Sequence, residues 1–254
     1  MIELRNVYYT VPDESTPDGR RAILDDVSFH IPTGGITCIM GVSGMGKTTL
    51  LRLMAGLIKP DSGEILVDGR DIVPMNEREL NEVRGSTGFV FQYGALFDSL
   101  SVGENVAFGL EQQRRPRQEI ADIVASRLSE VGLPETTDQL PSEISGGMRK
   151  RVAMARALAT SPQLVFYDEP TSGLDPVMAG VIDDLIVRLR NQNNTTNIVV
   201  SHHLASILRI SDRVLMLHDG QLVADGTPDE IKSSSSPVVQ QFIQGLPVGP
   251  ISVR

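Results

Sequence analysis

The sequence has little of several features that mark common classes of protein. Its 254 residues include one cysteine and no tryptophan, so a disulfide within the chain is excluded. Cys38 stands in the apolar run 35–40, which predicts a buried core side chain. Basic residues do not dominate either: there are 23 of them against 32 acidic ones, for a net charge of -9. Because nucleic-acid binders usually carry a basic excess or stripe, we expect no nucleic-acid partner.

Long apolar runs are also missing. No segment approaches the roughly 18–20 consecutive apolar residues that a membrane-spanning helix needs. The first residues, Met-Ile-Glu-Leu-Arg, lack the apolar stretch of a secretion signal. The expected location is the cytoplasm, and any membrane span that the protein works with would belong to another subunit.

The short apolar runs that are present predict an α/β fold. Continuous rather than alternating runs are typical of strands buried on both faces of a parallel sheet. Such runs occupy residues 35–40, 164–167 and 197–200. Further strands are predicted at residues 2–9, 26–31 and 64–67, with a hairpin at 213–217 and 221–224.

A mostly helical stretch is predicted between about residues 101 and 159. Apolar residues recur at helix spacing in 119–131, and residues 146–158 form another helix candidate. The α/β core is therefore expected to be interrupted by a helical insertion.

Residues 41–48 read Gly-Val-Ser-Gly-Met-Gly-Lys-Thr and fit the phosphate-binding P-loop pattern, between a predicted strand and a helix. Glycines let the backbone curl so that N–H groups point at phosphate oxygens, and the helix start adds positive partial charge. Lys47 would bridge the β- and γ-phosphates of ATP, and the Thr48 hydroxyl would ligate Mg²⁺. The predicted nucleotide-binding residues of this loop are Gly41, Ser43, Gly44, Gly46, Lys47, Thr48 and Thr49.

Two carboxylates end the apolar run 164–167. Asp168 would hold Mg²⁺, and Glu169, one residue beyond, would polarise the attacking water. By itself this pattern also fits a strand that merely reaches solvent. A P-loop on the same chain favours the catalytic interpretation.

A second candidate phosphate site is the helix start at Ser145, Gly146 and Gly147, which precedes a basic helix. Ser145 could simply cap that helix. Two phosphate-binding helix starts about a hundred residues apart cannot easily serve one nucleotide in one small domain. They make sense if each chain lends one to the ATP of a second copy.

The order of these motifs resembles the nucleotide-binding domains of ABC transporters. It runs from the P-loop through Gln92 after a strand, Ser145-Gly146-Gly147, Asp168-Glu169, Ser172–Asp175 and Ser201-His202. The resemblance covers essentially residues 1–232. It implies a P-loop NTPase (RecA-like) core with an N-terminal antiparallel β region and a helical subdomain at about 93–160. Residues 233–254, beginning with four serines, would be a linker and a tail.

The same resemblance implies roles for individual residues. Gln92 senses Mg²⁺ and links to the membrane subunit, while Ser145 and Gly147 contact the γ-phosphate of the partner chain's ATP. Asp175 lies at the dimer interface. His202 hydrogen-bonds the γ-phosphate and, with Glu169 and Gln92, completes the catalytic set.

A narrower resemblance is to the ATPases of Mla-type phospholipid transporters, which work with Mce-domain proteins. It is carried by residues 91–97 (Phe-Gln-Tyr-Gly-Ala-Leu-Phe), by Met148 in place of the usual glutamine, and by the ending at 241–247. It implies phospholipid transport between bacterial membranes, with a membrane permease and a Mce-domain substrate-binding protein as partners. The chain would then sit on the cytoplasmic face of the inner membrane, with room for a small regulatory subunit.

Two alternatives stay open at this point: a soluble ABC ATPase that assists assembly of iron–sulfur clusters, and an ABC subunit for another substrate. The ABC ATPases of DNA repair and chromosomes are disfavoured, because no long heptad stretch separates the two ATP motifs. Translation-factor types fuse two such domains, and 254 residues hold only one.

The sequence departs from the family in two places. The aromatic residue that usually stacks on adenine falls near Val11, and the neighbouring Tyr8 and Tyr9 are expected to face the sheet and its cover. Adenine recognition therefore lacks an evident stacking partner. His203 stands where the family usually has an acidic residue, and we expect it to face solvent.

The tail predicts a short helix, with Ser236 as N-cap, Pro237 at its first position and Gly245 at its end. Its predicted apolar stripe consists of Val238, Val239, Phe242, Ile243 and Leu246. So short a helix needs a surface to bury against. That surface is either its own domain or the partner ATPase chain.

Overall fold

The computed structural model describes residues 1–17 and 19–251. The strands are β1 (Ile2–Pro12), β2 (Arg20–Ile31), β3 (Ile36–Met40), β4 (Ser62–Val67), β5 (Arg70–Asp71), β6 (Thr87–Val90), β7 (Leu164–Asp168), β8 (Thr196–Val200), β9 (Arg213–His218) and β10 (Gln221–Gly226). The helices are α1 (Lys47–Met54), α2 (Glu77–Arg84), α3 (Val102–Gln112), α4 (Arg117–Glu130), α5 (Gly146–Ala159), α6 (Pro176–Asn193), α7 (Leu204–Ile210), α8 (Pro228–Lys232) and α9 (Pro237–Gln244). The chain divides into two compact units, Met1–Arg84 with Val199–Arg254, and Gly85–Ile198.

The first unit contains an antiparallel sheet in the order β2-β1-β4-β5. Leu4 pairs with Phe29 on one side and with Ile65 on the other, and all three are buried on one apolar face. In the same unit, β9 pairs with β10 and runs parallel to β3, where Cys38 lies opposite Val214. Every residue of β3 is buried, Cys38 included, as predicted. The loop that leads to α1 therefore starts from a rigid strand end.

The second unit pairs β6 with β7 in parallel, with Phe89 opposite Phe166. Helices α3, α4 and α5 pack on one another, and α5 also packs against β6. α3 begins with a capping box at Ser101, whose hydroxyl accepts the N–H of Glu104. Since β7 is buried along its whole length, its last residue, Asp168, is held in a fixed place.

The α/β fold class with its antiparallel region is confirmed, as are the strand runs at 35–40, 164–167 and 197–200 and the helices at 119–131 and 146–158. Four helices were not predicted, α2, α6, α7 and α8. For α6 the signal was present, because Asp175 followed by Pro176 is a strong helix start. The domain boundaries at 93–160 and at residue 232 stay predictions. No helix in the described part of the chain is both long and apolar enough to cross a bilayer.

The expectation for Tyr8 is wrong. Its side chain is 36% exposed instead of facing the cover of the sheet. Asn6 lies at φ 48, and the pairing of β1 shifts between Leu4 and Val7 on the β2 side. Such a bulge moves the following side chains to the opposite face. Val7 is therefore buried, and Tyr8 points outward.

The tail helix is confirmed in its bounds. α9 begins at Pro237, and Gly245 ends it in the left-handed region at φ 64. Ser236 occupies the N-cap position, as predicted, although its side chain makes no capping hydrogen bond. α9 packs against α8 and β10 of its own unit.

The predicted apolar stripe of α9 is only partly buried. Val239 is fully buried, whereas Phe242 and Ile243 are half-buried and Leu246 is exposed. Gln241 is buried instead, because its side-chain amide binds the backbone of Ile251. Oε1 accepts the Ile251 N–H at 2.6 Å and Nε2 donates to the Ile251 carbonyl at 3.1 Å. Periodicity could not reveal this contact, which satisfies a polar group in an apolar position.

Candidate functional site

The P-loop of the first unit is shaped by glycines that no other residue can replace without strain. Gly41 lies at φ 150, and a Cβ there would stand 2.3 Å from the carbonyl oxygen of Leu217. Gly46 lies at φ 83, and its Cβ would stand 2.8 Å from Cγ2 of Ile23. The loop thus needs both positive φ angles and close backbone approach.

The start of α1 presents donors to an anion. Gly46, its N-cap residue, has no side chain that could cap the helix, and the first N–H groups of any helix have no carbonyl partner within the helix. Lys47 is buried and folds back over the loop, donating to the carbonyls of Gly41 at 2.8 Å and Val42 at 3.0 Å. The ammonium therefore lies where phosphate oxygens would meet the loop's N–H groups. These residues fit a nucleotide phosphate chain.

The other predicted residues of this loop lie at or near its surface. Ser43 and Gly44 are exposed, and Thr48 and Thr49, in the first turn of α1, are half-buried.

His202 also belongs to the first unit. The backbone N–H of Ser201 donates to Ile39 of β3 at 3.2 Å, so this segment is tied to the strand that carries the P-loop. The Ser201 hydroxyl accepts the N–H of His203 at 3.0 Å. Both histidines are exposed, and His203 is the N-cap residue of α7, as expected for a residue facing solvent.

In the second unit, Asp168 ends β7 and Glu169 follows it directly, and both are buried. Glu169 lies at φ 48, in the left-handed region that non-glycine residues seldom adopt. Its carbonyl accepts the N–H of Ser172 at 3.1 Å, which closes a turn directly after the strand. Backbone strain of this kind clusters at functional sites, where surrounding contacts hold it in place.

Gln92 is brought to the same turn by the fold. Its Nε2 lies 3.4 Å from Oγ of Ser172. Gln92 and Glu169 are 77 positions apart in the sequence, 169 less 92, and Ser172 joins them in space. The second unit therefore assembles Gln92, Ser172 and the Glu169 backbone into one group.

Lys150 is a member of this group that the sequence did not reveal. Its side chain is 8% exposed, and Nζ donates to the carbonyls of Gln92 at 3.0 Å and Glu169 at 3.4 Å. Burial lowers the pKa of Lys150, and the charge of Glu169 partly opposes that shift. The available signal was helix spacing, because Lys150 lies three and four positions before the buried residues Ala153 and Met154.

The helix start at Ser145 is capped by its own side chain, which accepts the N–H of Met148 at 3.3 Å. Ser145 and Gly146 are exposed, whereas Gly147 is buried, and a Cβ on it would stand 3.0 Å from Cε of Met178. The starts of α5 and α6 therefore lie side by side. At the start of α5, the Ser145 side chain and the Gly146 backbone are exposed to an approaching ligand.

Asp175 caps α6, accepting the N–H groups of Val177 and Met178 at 3.0 Å each. The residue itself is exposed. The structure thus gives Asp175 a role within its own unit and leaves it on the surface, as a dimer contact would require.

The three predicted Mg²⁺ ligands offer one carboxylate, that of Asp168, together with the Thr48 hydroxyl and the Gln92 amide. Within residues 1–17 and 19–251, no cluster of three or more His, Cys, Asp or Glu side chains forms a metal site. Mg²⁺ that travels with nucleotide phosphates takes one or two carboxylates plus phosphate and water oxygens. The predicted set fits that kind of site.

Comparison with known proteins agrees with these features. Residues 24–172 match the family model described as ABC transporter. The protein named intermembrane phospholipid transport system ATP-binding protein MlaF, from Haemophilus influenzae, is 43% identical over all of this chain and 94% of its own length. A probable ribonucleotide transport ATP-binding protein, mkl from Mycobacterium leprae, is 41% identical over 92% of this chain and 68% of its own length.

A solved structure gives the same result for the fold. It is described as a dimeric structure of a post-hydrolysis state of the ATP-binding cassette MJ0796, bound to ADP and Pi. It matches with a TM-score of 0.82 and 31% identity, over 90% of this chain and 99% of that chain. With a P-loop, strand-ending carboxylates and a family match across most of its length, the chain belongs to the ABC transporter family.

Proposed function

We propose that this chain is the ATP-hydrolysing subunit of a transporter that moves phospholipid between bacterial membranes. The observation that carries the proposal is the full-length likeness, at 43% identity, to an ATP-binding protein of an intermembrane phospholipid transport system. The geometry of the P-loop supports the ATP-binding part independently of that likeness, through the Gly41 backbone and the buried Lys47.

In the proposed reaction, each chain binds the phosphates of ATP through the backbone of residues 41–48 and the Lys47 ammonium. Glu169 takes up a proton from the attacking water and so strengthens it as a nucleophile. His202 donates a hydrogen bond to the γ-phosphate. Thr48, Asp168 and Gln92 would hold Mg²⁺, which when bound offsets the negative charge of the phosphate oxygens.

The proposed active form is a dimer of two copies. Ser145, Gly146 and Gly147 of one chain would cover the γ-phosphate bound by the other, and Asp175 would lie at their interface. The exposure of Ser145, Gly146 and Asp175 supports this, since the rest of their own chain does not cover them. ATP favours the closed dimer because its γ-phosphate touches both chains only in that state.

A membrane permease is the proposed docking partner of the segment after Gln92. Tyr93 is 85% exposed, and Phe97 and Phe108 are exposed with their ring centroids 4.7 Å apart. Arg156 holds this segment, donating to the carbonyls of Gly94 and Ala95. Exposed aromatic residues on a firmly held loop suit a protein contact. A Mce-domain protein, and a small regulatory subunit, would complete the complex on the cytoplasmic face of the inner membrane.

The test is to isolate the full-length chain from membranes with its bound subunits and to reconstitute that complex in liposomes. We expect ATP-dependent transfer of labelled phospholipid between liposomes, and loss of transfer in Lys47→Met. Transfer of a ribonucleotide instead would favour the alternative suggested by mkl. Recovery with no membrane subunit would favour the assembly-factor alternative.

A further inference from the structure

Lys150 is a buried cation. Neither helix formation nor core packing explains why a charged residue is buried at this position. Lysine is almost never buried without a partner, because removing an ammonium from water is costly. Here the ammonium is placed among main-chain carbonyls, those of Gln92 and Glu169. These carbonyls belong to segments 58 and 19 positions away in the sequence.

The same two residues are joined by a second route. Gln92 reaches Oγ of Ser172, and the N–H of Ser172 donates to the carbonyl of Glu169. Lys150, Gln92, Ser172 and Glu169 therefore form a closed ring of hydrogen bonds within the unit 85–198. We call this the Lys150 ring.

The ring acts on the backbone of Glu169, and the backbone decides where its carboxylate lies. Glu169 is in the left-handed region, and its carbonyl is held by two donors, Ser172 N–H and Lys150 Nζ. Rotation of this peptide would swing the Cα–Cβ bond and move the carboxylate. The charge of Glu169 also opposes the larger effect of burial, which lowers the pKa of Lys150.

The ring also reaches the loop that carries the exposed Tyr93. Because Lys150 binds the carbonyl of Gln92 itself, a movement of this loop changes the distance between Lys150 and one of its two acceptors. A change in that hydrogen bond would also bear on the one that Lys150 donates to Glu169.

We propose that Lys150 is a positioning residue for ATP hydrolysis, which holds the Glu169 backbone in its working conformation and links it to the loop after Gln92. The inference rests on the proposed function, in which Glu169 is the general base. It predicts a loss in turnover and not in ATP affinity, since Lys150 lies outside the P-loop.

The test compares Lys150→Met with Arg151→Met in the full-length chain. Arg151 is a matched control, because it is the next residue of α5 and its Nη1 also donates to two backbone carbonyls, those of Val131 and Gly132. Lys150→Met should lower kcat by roughly ten- to hundredfold, the size expected from a misplaced catalytic group, with the Kd for ATP unchanged. Arg151→Met should leave kcat unchanged, and Lys150→Arg should restore most of the lost activity.

A double variant separates this inference from the proposed function. In Glu169→Gln, which already lacks the base, adding Lys150→Met should cost no further activity. If Glu169→Gln abolishes hydrolysis while Lys150→Met has wild-type kcat, the positioning role is refuted and the proposed function stands. If Glu169→Gln remains active, the assigned base is wrong, whatever Lys150→Met does. Should Lys150→Met fail to fold, Lys150→Gln, which keeps side-chain N–H donors but not the charge, must show the loss in kcat.

Discussion

Helices α1 and α5 both have a small N-cap residue, yet the two helix starts are built differently. Gly46 leads into α1 at φ 83 without a side-chain cap, whereas Ser145 caps α5 with its own hydroxyl. Lys47 turns back over the loop it follows, while Lys150 turns away from its helix start toward Glu169.

The difference agrees with the proposal that the α1 site is made by one chain alone, whereas the α5 site serves a second chain. At α1, the glycine loop, the helix N–H groups and the ammonium converge on one place. At α5, the helix start has glycines and a hydroxyl but its lysine is committed elsewhere. We infer that α5 completes a phosphate site whose cation is supplied by another copy. The predictions below test each side of this comparison.

The largest expected effect comes from removing the Glu169 carboxylate while the starts of α1 and α5 stay intact. Glu169→Gln keeps the size of the side chain but not its basicity, so the ATPase rate should fall by about 10²–10⁴-fold. ATP binding should survive, and the variant should form a stable dimer on ATP, seen by size-exclusion chromatography. Glu82→Gln, an exposed carboxylate in α2, is the control. Activity within about threefold of wild type in Glu169→Gln would refute the assignment.

The backbone of the P-loop is tested by Gly41→Ala against Gly44→Ala. Both positions have positive φ, but only at Gly41 would a Cβ overlap the Leu217 carbonyl; at Gly44 it meets nothing within 4 Å. Gly41→Ala should lower the free energy of unfolding by roughly 2–6 kcal/mol, from strain plus overlap. Gly44→Ala should cost roughly 1–2 kcal/mol from strain alone. Equal losses in urea denaturation would show that close approach is not what selects glycine at Gly41.

The shared site is tested by Ser145→Ala against Ser101→Ala. Both serines cap helices of the second unit, so each variant should lose about 1 kcal/mol of stability. Only Ser145→Ala should also lower the ATPase rate, because the proposed role of its hydroxyl is to contact the ATP of the partner chain. Wild-type activity per chain should rise with protein concentration as dimers form. A proven monomer with constant specific activity would contradict the shared site.

The tail tests whether α9 serves only its own chain. Val239 and Gln241 are buried against the helix's own chain. Phe242 is only half-buried, so part of its ring can contact a partner. Phe242→Asp should therefore leave the domain folded and weaken assembly, since an unpaired charge would enter the contact. Gln244→Asp is the control, because Gln244 is exposed and lies two positions after Phe242 in the same helix. Unfolding of Phe242→Asp alone would show that the tail packs in cis only.

The smallest effect is expected for the preference between ATP and GTP. Val11 pairs with Arg21 near the end of β1 and is half-buried. Because valine has no aromatic ring, this residue cannot stack on adenine. Base stacking is worth roughly 1–3 kcal/mol where it occurs. ATP should therefore be preferred over GTP by less than about a hundredfold, or ~2.7 kcal/mol, in competition binding. A stronger preference would mean that another aromatic residue, with Tyr9 as first candidate, does the stacking.

Much of the fold could be predicted because its signals are local. The buried strands at 35–40, 164–167 and 197–200 are continuous apolar runs, and the P-loop is one uninterrupted segment. Tyr8 was misjudged because a bulge at Asn6 reverses the alternation of side chains. Gln241 was overlooked because a polar residue can be buried when a distant backbone, here Ile251, satisfies it.

The sequence by itself determined the P-loop, the strand-ending carboxylates and the Ser145 helix start, since each depends on neighbours within a few positions and on conformations that only certain residue types adopt. Only the tertiary structure decided that Lys150 points inward, that Gln92 meets Ser172 and that Glu169 takes a left-handed conformation. The physical reason is that a hydrogen bond between residues 58 or 80 positions apart depends on how helices and strands pack, which no local pattern records.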